Sequence, residues 1–269
     1  MYGVFISDRW LFFTLDDMNN SLSPIIQAYN AIPDSGESTL TFPSLECRIT
    51  ASNLTCLVGP HRFQLRAYLH MLAGITQAKT GKVEILGRMI SELDQTAWRK
   101  LRSKIGYLSG TTPLLSVQHG LMNVMLPLLY HSDLSFRETA DKARALLDEL
   151  NCHFEVTKFP AMLNSFHRLQ LALARALILD PLVLFLDVPF HDLGAKQREK
   201  MGVLLGKHKQ HRAVCMIGGL QYTHFLEQHA NQIIFISEHK VINFKGWESF
   251  IHTEDQDVKE LLNVLQTSN

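Results

Sequence analysis

A short apolar run, Leu54-Thr55-Cys56-Leu57-Val58, leads into Gly59-Pro60-His61-Arg62-Phe63-Gln64-Leu65-Arg66 and then into a segment that reads as a helix, Gln64 to Leu72. A strand that turns at a glycine into a helix is the setting of a phosphate-binding loop, G-x-x-x-x-G-K-[ST]. Gly59 keeps the first position of that pattern. Gln64 stands at the second glycine, Leu65 at the lysine and Arg66 at the hydroxyl. The scaffold is kept and the loop chemistry is replaced.

Each replaced position has a physical job. The second glycine lets backbone N–H groups close around phosphate oxygens at φ/ψ values a side chain resists. The lysine brings positive charge to the β/γ-phosphates, and the hydroxyl ligates magnesium. Losing two or three charge-assisted hydrogen bonds of roughly 1.5–3 kcal/mol each weakens binding by roughly 3–9 kcal/mol. That is about two to six powers of ten in affinity. Arg62 or Arg66 restores some charge, but neither restores the cradle.

The rest of the chain predicts an α/β fold. Residues 1–35 alternate poorly, with short strands expected at Met1–Ile6 and Trp10–Phe13. Two strand-like pieces lie between Leu45 and Val58, another at Gly81–Gly87, and another at Ile105–Leu108. Gly74 is placed to end the first helix, and a short basic helix spans Trp98–Lys104. From Pro113 the pattern turns helical. Ser135-Phe136-Arg137-Glu138 is a capping box opening a helix through Leu150, with Ala143, Leu146, Leu147 and Leu150 on its apolar face. A helix over Ser165–Leu179, a buried strand Leu182–Leu186, a helix over Lys196–His208 and a strand Ala213–Ile217 follow. Strands alternating with helices argue for a largely parallel sheet, interrupted by a helical insert at about 113–168.

With 269 residues, 46% of them hydrophobic, the chain can build one large domain or a domain with a subdomain. Lys and Arg balance Asp and Glu at 26 each, so no broad electrostatic attraction to nucleic acid is expected. Cys47, Cys56, Cys152 and Cys215 are scattered without metal spacing, and Cys56 and Cys215 read as buried thiols of a reducing cytoplasm. The 13 histidines do not cluster as ligands, and His208 and His211 read as a solvated basic helix end. No metal site is expected. No apolar run approaches the length of about 18 residues that spans a bilayer. A membrane role is therefore expected to run through a partner.

The order of these segments resembles the nucleotide-binding domain of ABC transporters over roughly residues 40–245. Leu171-Ala172-Leu173-Ala174-Arg175-Ala176-Leu177 is similar to the family's helix after the signature motif, and Pro181–Asp187 to the Walker B strand, followed by Pro189-Phe190. Leu72-Ala73-Gly74 and Ser91-Glu92-Leu93 also fall in familiar places. The resemblance implies a P-loop NTPase-like (RecA-like) core with an N-terminal antiparallel β subdomain and an inserted α-helical subdomain. It implies one nucleotide-binding-like domain over 1–245 and a tail over 246–269.

Read along that resemblance, further stations have lost their chemistry. Gly110 occupies the Q-loop glutamine position, and Leu163-Asn164-Ser165-Phe166-His167 replaces the signature LSGGQ. Phe166 is expected to intrude where a glycine lets the helix approach a partner's nucleotide, although Asn164 can still cap that helix. Asp187 keeps the magnesium-orienting aspartate, but Val188 stands at the catalytic glutamate and cannot accept a proton. Gly194 falls near the D-loop aspartate, and Gly219, Leu220 or Gln221 stands at the switch histidine. No aromatic residue is placed to stack adenine, since Tyr29 lies too far upstream.

The vestigial nucleotide site is therefore expected at Gly59, Arg62, Leu65, Arg66 and Asp187, and the signature-like set at Asn164, Ser165, Phe166 and His167. The chain is expected to need no cofactor, with room for residual Mg-ATP binding, and to hydrolyse ATP weakly or not at all. Family members pair head to tail and dock on a permease. The expected partners are thus an ABC permease and a second ATPase-like subunit, in a homo- or heterodimer peripheral on the cytoplasmic face of the inner membrane. Gly110, Leu115, Met122, Val124 and Leu126, in a stretch similar to the family's (E)NVALPL, are the expected permease-docking residues. An equally weighted reading has these residues fill the helical core. The insert and the tail Asp255–Leu262 resemble lipid-transport (Mla/MCE-type) ATPases and their lipoprotein-sorting relatives. A slow ATPase using Arg62, Arg66 and Asp187, and a soluble interaction module outside transport, are the competing readings.

Overall fold

The computed structural model describes residues 2–6, 9–13, 24–34, 36, 40–109, 114–152, 154–187, 193–208, 212–218 and 223–266. Strands β1 (Tyr2–Ile6) and β2 (Arg9–Phe13) pair antiparallel as a separate ribbon. Next come β3 (Pro24–Pro33), β4 (Leu45–Thr50), β5 (Leu54–Val58), α1 (Arg62–Leu72), β6 (Ala78–Ile85), β7 (Arg88–Met89), α2 (Gln95–Arg102) and β8 (Ile105–Leu108). Three helices follow, α3 (Gly120–His131), α4 (Phe136–Glu149) and α5 (Ser165–Leu177). The remainder is β9 (Val183–Leu186), α6 (Ala195–His208), β10 (Ala213–Ile217), α7 (Thr223–His229), β11 (Gln232–Ile236), β12 (Val241–Phe244), α8 (Gly246–Ile251) and α9 (Gln256–Gln266).

The central sheet runs β12-β11-β5-β10-β9-β8, parallel except for β12. Strands β5, β9 and β10 are buried along their whole length, as continuous apolar runs between two covered faces should be. Successive residues serve opposite layers. Cys56, Val58, Leu184, Leu186, Val214 and Met216 pack with the helices α3 to α6. Leu57, Val183, Phe185, Cys215 and Ile217 pack instead against α1 and a four-stranded antiparallel sheet, β4-β3-β6-β7. Strand β3 of that sheet went unread in the sequence because its alternation is broken by register shifts between Ala28 and Ala31.

Local chemistry fixes the helix ends that hold the site. The α1 helix closes with Gly74 at φ +65, Gly74 N–H donating to the Met71 carbonyl at 3.0 Å and Ile75 N–H to the His70 carbonyl at 2.8 Å. A Cβ on Gly74 would also stand 2.4 Å from the Trp98 ring. The capping box of α4 forms as its sequence predicts, with Ser135 N–H donating to Glu138 Oε2 at 2.8 Å and Glu138 N–H to Ser135 Oγ at 3.3 Å. All four cysteines are buried thiols outside any disulfide, and burial pushes Cys47 and Cys152 up to about 12. Among the described residues, no helix is long and apolar enough to cross a membrane.

Candidate functional site

The loop after β5 sits at the carboxyl ends of parallel strands, the place where an open α/β sheet binds its ligands. Here its side chains are turned to other uses. Gln64 is fully buried, and its Nε2 donates to the carbonyls of Thr41 (2.7 Å) and Ser237 (3.1 Å), tying the start of α1 to two other segments. Leu65 is also buried and belongs to the apolar layer under α1. Gly59 is required by close approach. A Cβ there would lie 2.0 Å from the Ile236 carbonyl oxygen and 3.3 Å from Leu65 Cδ2. His61 precedes the helix without a side-chain cap, and its Nε2 stands 3.2 Å from Glu238 Oε1. Arg62 is exposed.

Arg66 and Asp187 meet at the centre of this region. Arg66 Nη2 donates to Asp187 Oδ1 at 3.2 Å, and Nε lies 2.8 Å from Oδ2, off the line of an N–H hydrogen bond. Asp187 is 2% exposed, at the end of β9, while Arg66 comes from the middle of α1. The sequence named both residues as separate remnants; the structure joins them. The carboxylate thus has a cation built into the protein. His70, one turn after Arg66, is held below its ordinary value by burial, with Asp187 acting in the opposite sense and Arg66 in the same. The Tyr107 ring lies 5.9 Å from His70. Its hydroxyl is buried without a hydrogen-bond partner among the described residues, and burial followed by the Asp187 charge raises its pKa.

The signature-like segment opens α5. Asn164 caps it, with His167 N–H donating to Oδ1 at 2.8 Å. Arg168 folds back over the same end, donating to the Leu163 carbonyl (2.6 Å) and to Ser165 Oγ (3.2 Å). Phe166 is half-buried against the core, and the His167 ring stacks on Phe154 at 4.3 Å and 11°. Burial lowers the His167 pKa. Phe166 and His167 line one wall of a cavity of about 720 Å³ between α5 and α6, facing Lys196 and Val203.

Among the described residues, the expected docking set divides by burial. Leu115 is exposed, Met122 and Leu126 are half-buried, and Val124 is fully buried in the core. Val124 therefore supports α3 from beneath instead of presenting a contact. A residue not singled out as a site, Asn123, organises the segment. Fully buried, it accepts from Leu115 N–H at 2.7 Å and donates to the carbonyls of Leu115, Gln118 and His119 at 2.9–3.2 Å. A buried-polar signal was available, since an asparagine inside an apolar helix must find partners. Gly110, Val188 and the candidate switch positions Gly219, Leu220 and Gln221 lie outside the described residues.

The sequence profile of the family described as ABC transporter matches residues 67–191. The ABC transporter ATP-binding protein YbbA of Escherichia coli (strain K12) is 31% identical over 172 residues, 63% of this chain and 75% of that protein. The lipoprotein-releasing system ATP-binding protein LolD of Psychrobacter arcticus is 26% identical over 190 residues, 69% of this chain and 84% of its own length. In structure the chain is similar to the dimeric ATP-binding cassette MJ0796 in a post-hydrolysis state bound to ADP and Pi, with a TM-score of 0.70 at 20% identity, covering 82% of this chain and 100% of that one. That likeness carries the fold, a P-loop NTPase cassette of mixed α/β construction. With strand order, loop setting and these relatives in agreement, the chain belongs to the family of ABC transporter ATP-binding proteins.

Proposed function

We propose that this chain is a pseudo-ATPase subunit of an ABC transporter, docking on a membrane permease as a structural or regulatory member while its own nucleotide site is closed by an internal ion pair. The observation that carries the reading is the Arg66–Asp187 contact. A magnesium nucleotide needs a free carboxylate for the metal, a lysine toward the phosphates and a flexible loop. Here the carboxylate holds a guanidinium, Leu65 is buried in the core, and Gln64 is fastened to two backbone carbonyls. These residues do not fit the group that the fold implies.

The competing reading, a slow ATPase using Arg62, Arg66 and Asp187, asks magnesium to displace Arg66 from a nearly buried carboxylate, and breaking such a pair costs more than breaking a surface pair. The names of the relatives, one of them a lipoprotein-releasing ATP-binding protein, favour a lipid-type cargo. Two-domain pairing, head to tail with itself or with an intact ATPase, fits a family with dimeric cassettes. The segments flanking the helices between β8 and β9 carry exposed Leu115, Val117 and Met162, which support permease contact there better than Val124 does.

Affinity capture from solubilised membranes, joined to a hydrolysis assay of the purified chain, tests the reading. A permease subunit should co-isolate, and the chain alone should release no phosphate from Mg-ATP above buffer. Capture without any permease would remove the docking role, and turnover by the isolated chain would remove the pseudo-ATPase assignment.

A further inference from the structure

On the side of the molecule served by α4 and the ends of α5 and α6, a cavity of about 610 Å³ is lined by Lys142, Glu149, Asp180, Lys207, His208 and Arg212. Arg212 is 8% exposed, yet among the described residues only one of its guanidinium nitrogens has a partner, Nη2 donating to Asp180 Oδ1 at 3.0 Å. Nε and Nη1 are buried with no partner. His208 is 9% exposed, and its Nε2 is likewise unpartnered, standing 3.8 Å from Glu149 Oε1, too far for a hydrogen bond. Asp180 offers little shielding, because its side chain is 91% exposed. Buried donors are normally satisfied, and an orphaned set facing one cavity points to an absent acceptor.

The electrostatics give the sign of that acceptor. Three permanent cations, Lys142, Lys207 and Arg212, face two carboxylates, Glu149 and Asp180, so the lining carries an excess positive charge before His208 is counted. Burial and the neighbouring Arg212 keep His208 neutral more readily than usual, with Glu149 opposing. An arriving anion reverses that balance. Leu146, Leu177 and Ile178 supply an apolar wall, on which the body of a ligand larger than a bare ion can rest. The site is separate from Arg66 and Asp187 and does not depend on the pseudo-ATPase reading.

We propose that this cavity binds the phosphate group of a small phosphomonoester, held by the free N–H groups of Arg212 with His208 and Lys207 beside it. The phosphate could belong to a soluble metabolite or to a phosphatidate headgroup. The test is an NMR titration of the His208 ring with inorganic phosphate and glycerol 3-phosphate against chloride at equal ionic strength, plus flotation on phosphatidylcholine vesicles with and without phosphatidic acid. Saturable binding of the free probes, with His208 titrating at higher pH and affinity falling about tenfold in Lys207→Glu, is the expected result. Flotation that needs phosphatidic acid and is lost in the same variant would assign the phosphate to the headgroup. Arg212→Gln should abolish binding where it folds, and Lys207→Glu, at an exposed position, keeps the test valid where it does not. No response beyond chloride, or equal binding by wild type and Lys207→Glu, would mean that water alone satisfies these donors and would overturn the site.

Discussion

A metal-ligating hydroxyl is expected at position 66, whereas the guanidinium found there is itself a cation, delivered by α1 to a carboxylate that is 2% exposed. Truncation should therefore be expensive even though Arg66 is partly exposed. Arg66→Ala should destabilise the protein by about 2–4 kcal/mol, because it leaves Asp187 buried without its cation. Urea unfolding of the variant checks this, and a loss below about 1 kcal/mol would place the pair among surface ion pairs. Leu65→Lys should neither restore hydrolysis nor fold well, since it drives an ammonium into the apolar layer beneath α1. Measurable turnover in that single variant would contradict both statements. In the sequence Arg66 is a spare charge and Asp187 an isolated aspartate at the end of a strand. The pairing is not legible there, since the two are 121 positions apart and only the docking of α1 over β5 and β10 brings Arg66 to the end of neighbouring β9.

Elements whose signals are local were legible. The Ser135 box, the α1 ending at Gly74 and the strands β5, β8, β9 and β10 follow from capping chemistry or from continuous apolar runs. Strand β3 was not legible, because its identity rests on two neighbours supplied by distant β4 and β6. The segment before α3 shows the same dependence. Its backbone is pinned by one amide, so Asn123→Ala should cost about 2–4 kcal/mol by orphaning several backbone groups at once. Hydrogen exchange should accelerate at Leu115, whose N–H donates to Asn123 Oδ1, while β9 and β10 stay protected. Equal acceleration throughout the chain would show that Asn123 supports the whole fold and not this loop alone.

Across the whole molecule, His70, His131, His167 and His208 share one bias, each lowered first by burial. The unfolded chain takes up protons on these rings first, near a pH of about 6.5, so it binds more protons than the native state just below that value. Stability should fall as pH drops through this window, visible as a lower urea midpoint at about pH 5.5 than at about pH 7.5. Glu138 and Asp255, held low by hydrogen bonds from Ser135 and Lys240, add losses only at more acidic pH. An unchanged midpoint would mean that the buried rings are hydrated. A largely parallel sheet was legible as an alternation of strands and helices, though its strand order was not, and the departures from the phosphate-loop pattern were visible residue by residue. What replaced that chemistry was not, since an ion pair and a glutamine plug are properties of the assembled fold. Equilibrium titration of the purified chain with labelled ATP and Mg²⁺ tests that replacement most directly. The ion-pair closure predicts no saturable, magnesium-dependent binding in the micromolar range, and a micromolar Kd that requires Mg²⁺ and disappears in Asp187→Asn would contradict it.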